Sequence, residues 1–161
     1  MNESIETFMY GVSQLFLVPV LAAIGMLFLY AFYALGAFLW QAAQRRAGRP
    51  AGFELAGVWQ REPGLVMADL EALALKRLEF ARIATRVAPM LGLVATMIPM
   101  GPALKALGDG QLTDVSRSLM VAFSAVILAL IAAALTYWVV NVRRRWYAAD
   151  LLAIEKAEAA R

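Results

Sequence analysis

The 161-residue chain contains no cysteine and no histidine. The first absence excludes disulfides and thiolate metal sites, while leaving the compartment open. The second removes the commonest metal ligand and the usual proton carrier near neutral pH. Charge is also scarce: 17% of the residues are charged and 62% are hydrophobic. An average soluble domain holds about 25% charged and about 45–50% apolar residues. One core of this length cannot bury the excess, so part of it faces lipid, another subunit, or both. Catalytic motifs are missing too. There is no Gly-rich phosphate loop after a strand, no metal-ligand cluster and no nucleophile with a histidine base, so neither an enzyme nor a cofactor site is expected. The net charge of +3 is too small to argue for a nucleic-acid partner.

What the chain does have is three long charge-free intervals. None of the residues from Thr7 to Gln44 is charged, and Leu15 to Trp40 is a 26-residue, nearly all-apolar run. A helix of about 20 residues crosses a bilayer core, so this run spans with some tilt. A secretory signal peptide starts with a positive region, whereas this one starts with Glu3 and Glu6, so a retained anchor is expected. The second interval, Val87 to Leu104, holds Pro89, Pro99 and Pro102 with Gly92 and Gly101. Such residues break soluble helices but are tolerated in membranes when neighbours satisfy the freed carbonyls; a buried or re-entrant segment is the alternative. The third interval runs from Ser118 to Val142. The expected fold is therefore all-α, a single membrane domain over 1–161 with spans at about 15–40, 87–104 and 118–142. Gly108-Asp109-Gly110 supplies turn chemistry between the last two spans, and Thr113 is a candidate N-cap. So short a loop predicts an antiparallel hairpin.

Orientation follows from the basic residues. Arg45 to Arg86 holds eight, Arg143 to Arg161 five, the loop Lys105 to Arg117 two, and the N-terminus none. Thirteen of fifteen thus fall on one face of a three-span chain, which the positive-inside rule puts in the cytoplasm, with the N-terminus outside. The segments 45–86 and 143–161 are then cytoplasmic. Trp40, Trp138, Trp146 and Tyr147 near the inner ends of the spans read as interfacial anchors. Before the second span, Val66, Leu70, Leu73, Phe80, Ile83 and Val87 fall on one helical face, with Asp69, Lys76, Glu79, Arg82 and Arg86 on the other. This helix and the tail after Arg143 are expected to extend the spans as a stalk. Glu71, Glu79 and Asp69 read as a solvated face.

Few polar residues lie within the spans: Thr96 in the second, and Ser124, Thr136 and Asn141 in the third. Such hydroxyls either bond their own helix or a neighbour, or line a narrow hydrated path. Two stripes of small residues recur every four positions, Ala88, Gly92 and Thr96 on the second span and Ala125, Ala129 and Ala133 on the third. They let helix backbones approach closely, so the second and third spans should build a tight surface while the first faces lipid.

The run from Arg86 to Thr96, with Ala88, Pro89, Leu91, Gly92, Leu93 and Thr96, resembles the second span of the MotA/TolQ/ExbB proton channel family. That span typically reads A-P-L-L-G-L-x-G-T; Ala95 here replaces its second glycine. Ala122 to Asn141 followed by Arg143, Arg144 and Arg145 resembles the family's last span, and the whole is similar to a compact ExbB-like subunit. The resemblance covers roughly Leu65 to Glu155. It implies a homo-oligomer, a pentameric ring of three-span subunits around an ExbD-, TolR- or MotB-like single-span partner, with a TonB-like protein as a further partner. Ion flow then drives transport or motion across the cell envelope from the inner membrane. In that scheme the partner supplies a titratable aspartate and the ring contributes hydroxyls, a role that passes to Thr96, with Ser124 as candidate, while Ala88, Pro89, Gly92, Ala125, Ala129 and Ala133 pack the helices. Two departures stand out: Val126 occupies the position of the family's third-span threonine, and Leu135 that of a later proline. A non-conducting membrane scaffold of the same fold is the alternative.

Overall fold

The computed structural model describes residues 2–62 and 64–160, and these contain helices and no strand. Glu3, Glu6 and Arg161, which enter the charge argument, lie outside the described side chains. The chain runs through α1 (Asn2–Arg46), a 3-10 turn at Pro50–Gly52, α2 (Glu54–Arg61), α3 (Met67–Gly108) and α4 (Leu112–Ala159). Helices α1, α3 and α4 hold 45, 42 and 48 residues. At about 1.5 Å per residue each is about 60–70 Å long, roughly twice the hydrocarbon thickness of a bilayer. All three are long and apolar enough to cross a membrane. Each of α3 and α4 therefore carries its span and its extension in one unbroken helix, as the stalk reading requires.

Two glycines end helices in the same way. Gly48 (φ 65°) and Gly110 (φ 73°) adopt the left-handed conformation that L side chains disfavour. After α1, Arg49 N–H donates to the Gln44 carbonyl and Gly48 N–H to that of Arg45; after α3, Gln111 donates to Ala106 and Gly110 to Leu107. This paired 6→1 and 5→2 pattern is the Schellman motif. Thr113 does not cap α4 as expected. The helix already starts at Leu112, and the Gln111 carbonyl accepts from Asp114 and Val115. The tight glycine turn delivers the chain directly into helix.

The chain forms two compact units, Met1–Tyr30 with Thr85–Ala134 and Ala31–Ala84 with Leu135–Arg161. In the first, Val20 and Ile24 of α1 pack with Ala95 of α3 and Ala125 and Ala129 of α4. The α3–α4 hairpin is tight: a Cβ added at Gly92 would lie 2.9 Å from the Ala129 Cβ. The alanines leave room for larger side chains from α1, so the first span is more than a lipid-facing anchor. One of its faces is core, while Met26 and Leu29 point outward.

In the second unit, Leu55 of α2, Leu70, Ala74 and Leu78 of α3, and Tyr147 and Ile154 of α4 form the core. Two expectations change here. On α3 the buried row is Leu70, Ala74, Leu78, Ala81 and Ala84, whereas Val66, Phe80 and Ile83 are exposed; Val87, in the first unit, is exposed too. Helices meet along the row that permits close approach, and small residues at three- and four-residue steps provide it better than the bulkier row does. Trp40 and Trp138 are exposed, but Tyr147 is buried and Trp146 stacks on Phe38 with centroids 5.0 Å apart. Tyr147 belongs to the core, and Trp146 is half-buried.

Candidate functional site

The residues expected to face a pore or pack the spans all belong to the first unit. Ala88, Gly92, Ala125, Ala129 and Ala133 are buried, and Pro89 is half-buried. The α3 stripe continues through fully buried Ala95, with Thr96 turned partly away. The Thr96 hydroxyl donates to the Leu93 carbonyl of its own helix at 2.7 Å. Ser124 is exposed on α4. Val126, two residues on and so about 200° around the helix, is half-buried against Gly92, its Cα 3.6 Å from a Cβ built there. The seam thus takes Val126, and the structure does not bring Ser124 to it. Thr136, in the second unit, is fully buried, and Asn141 donates to the Tyr137 carbonyl at 2.9 Å.

Polar chemistry inside the spans is confined to such hydroxyl and amide groups. A hydroxyl donates and accepts hydrogen bonds but does not carry charge near neutral pH, so these residues can line a hydrated path without holding a proton themselves.

A contact absent from the sequence argument secures the proline-rich part of α3. Proline has no N–H, so Pro102 leaves the Ile98 carbonyl without its helical donor. The Gln14 side-chain amide of α1 donates to that carbonyl at 3.3 Å. One turn earlier in α1, the Tyr10 ring lies against Gly101, 3.5 Å from where a Cβ would stand. In hydrocarbon an unsatisfied carbonyl costs several kcal/mol, so this bond helps explain how the span keeps its helix through the prolines.

The second unit contains a polar cluster that sequence reasoning missed. Arg45, near the end of α1, donates through Nε to the Gly52 carbonyl at 2.8 Å and through Nη2 to Asp150 of α4. Its guanidinium lies 4.7 Å from the Phe53 ring centroid and 4.8 Å from that of Trp146. Gln41 also donates to Gly52, at 3.5 Å, and accepts from Arg143 Nε at 2.9 Å. Gly52 has to be glycine, because a Cβ there would lie 2.8 Å from the Arg45 backbone nitrogen. Glu54 at the start of α2 accepts from the Tyr147 hydroxyl at 3.0 Å and pairs with Arg77 of α3. Asp150, beyond the third span, has its pKa raised because burial outweighs the stabilising Arg45 guanidinium. The Tyr147 phenol is raised as well, by burial first and then by the Glu54 charge. Buried at Gln41 and Asp150 and half-open at Glu54 and Arg77, the cluster fixes residues 52–54 onto the long helices.

The MotA/TolQ/ExbB proton channel family model matches residues 64–156. No curated protein and no solved structure matches the chain. The matched stretch takes in α3 and nearly all of α4 and leaves out α1 and α2.

Proposed function

Since the chain belongs to the MotA/TolQ/ExbB proton channel family, we propose that it is a ring-forming subunit of an ion-driven inner-membrane motor. It works with an ExbD-like single-span partner to energise transport across the cell envelope. The observation that carries this reading is the family match over residues 64–156, which includes both spans of the α3–α4 hairpin and their extensions. The spans contain no carboxylate or histidine, and intramembrane charge is costly and usually functional. A partner that brings its own carboxylate fits that composition, and the chain itself performs no catalysis. The basic segments support a topology with the N-terminus outside and the C-terminus in the cytoplasm.

Co-purification tests the assembly: a single-span, aspartate-bearing protein should accompany the chain in a homo-oligomer, a pentamer by family resemblance. A stable monomer that captures no such protein overturns the proposal. Proton flux into liposomes, with the partner present, tests conduction. Thr96→Val should lower flux at least several-fold without loss of assembly; full flux in this variant removes Thr96 from the ion path. Val126, held against Gly92 where the family has a threonine, favours a second reading, a non-conducting scaffold. Measurable flux eliminates it.

A further inference from the structure

Tyr137, Trp138, Asn141, Arg144, Arg145 and Ala148 line a groove of about 490 Å3 on α4. They recur at helical spacing along one side of the helix, where the charge-free third span gives way to the triple-arginine run. The groove is apolar and aromatic at one end and cationic at the other, with no acidic residue in its wall. Neither Arg144 nor Arg145 belongs to an ion pair among the described residues, where Arg45 pairs with Asp150 and Arg77 with Glu54. Their neighbour Arg143 is occupied by Gln41. Trp138 is 52% exposed, yet its ring is held edge-on by Phe38 with centroids 5.3 Å apart. Trp138 is therefore set in place before any ligand arrives.

We propose that this groove binds the headgroup of an anionic phospholipid. Arg144 and Arg145 hold the phosphodiester, and Tyr137 and Trp138 lie along the glycerol and upper acyl chain. Guanidinium groups match phosphate oxygens with paired N–H donors, and aromatic rings favour the polar–apolar boundary of a bilayer. A soluble phosphate uses only the cationic half of the groove, whereas a phospholipid uses both halves and is already present at the end of a membrane span. The inference rests on the third span crossing the membrane and stands apart from the motor reading.

Native mass spectrometry of the full chain in detergent, titrated with phosphatidylglycerol or phosphatidylcholine, tests it. Phosphatidylglycerol should be retained in preference to phosphatidylcholine. Each basic side chain near an anionic surface strengthens binding about fivefold, so R144Q/R145Q should weaken phosphatidylglycerol retention about 25-fold. R144K/R145K keeps the charge but loses the paired donors, so its retention should fall between the wild type and R144Q/R145Q. Retention above that of R144Q/R145Q separates a binding loss from misfolding. R46Q/R49Q removes the same charge from exposed positions elsewhere and should change retention less than threefold. Equal retention of both lipids, an equal loss in R46Q/R49Q, or displacement of phosphatidylglycerol by equimolar inorganic phosphate each overturns the proposal.

Discussion

Single side chains decide how closely the spans pack. Gly92→Ala places a methyl 2.9 Å from the Ala129 Cβ, and neither group can rotate away. We expect a loss of about 1–3 kcal/mol, read as a lower midpoint of thermal unfolding in detergent. Ala129→Gly in the same chain should restore most of it. An unchanged midpoint in Gly92→Ala means that the hairpin is looser than described. Gln14→Leu leaves the Ile98 carbonyl without its side-chain donor and should cost about 1 kcal/mol in the same thermal assay. This is less than the full penalty in hydrocarbon because the carbonyl finds other partners in the unfolded chain. The first of these positions was legible in the sequence, because small residues spaced four apart on two spans imply a seam. The second was half legible. Counting back four from Pro102 identifies the orphaned carbonyl, but nothing local identifies the amide 84 residues earlier that meets it.

At the scale of elements, the loop between α1 and α3 is held by charge and α3 by size. Arg45 is mostly buried, with its side chain 12% exposed. Asp150→Ala strands that guanidinium and should cost about 3–5 kcal/mol, measured by chemical denaturation in detergent. Asp150→Asn keeps an acceptor and should cost less. The pH response has a definite sign. The folded-state pKa of Asp150 is raised above the ordinary value of 3.8, so the folded chain holds the proton more tightly than the unfolded one. Its contribution is full below 3.8 and declines as pH rises through the raised folded value. Asp150→Asn should remove this decline, and an identical acid-range profile in both chains contradicts it. The long helices were legible because hydrophobic runs and helix-ending glycines are local signals. The α3 face was misjudged because the apolar pattern counts bulk, and Phe80 and Ile83 are bulkier than Ala74 and Ala81. Helix α2 and its Glu54–Tyr147 bond were missed, since eight residues carry little periodicity and the partner is 93 positions away.

The whole molecule leaves a great deal of apolar surface uncovered, and part of it lies outside the spans. Phe80 and Ile83, on the α3 extension, are 57% and 51% exposed. Exposed apolar groups mark an interaction surface when they cluster. If neighbouring subunits cover them, the double variant Phe80→Asp/Ile83→Asp should shift the purified assembly toward monomer in light scattering. An unchanged mass places the subunit contact elsewhere. The three helices long enough to cross a membrane could be argued from the apolar, charge-free intervals. The match over residues 64–156 fixes the family.

The bond between Gln14 and Ile98 has a consequence for biogenesis. Its two halves are made 84 residues apart, so at about 5–20 residues per second the donor precedes its acceptor by roughly 4–17 s. Throughout that interval the inserted first span carries an amide whose acceptor has yet to be synthesised. Docking of the proline-rich span then satisfies the donor and the orphaned carbonyl in one step, which ties the N-terminal part of α1 to α3 late in synthesis. A nascent chain stalled before Ile98 should therefore hold its first span more loosely than one stalled after Gly108, a difference that crosslinking from position 14 to lipid can follow.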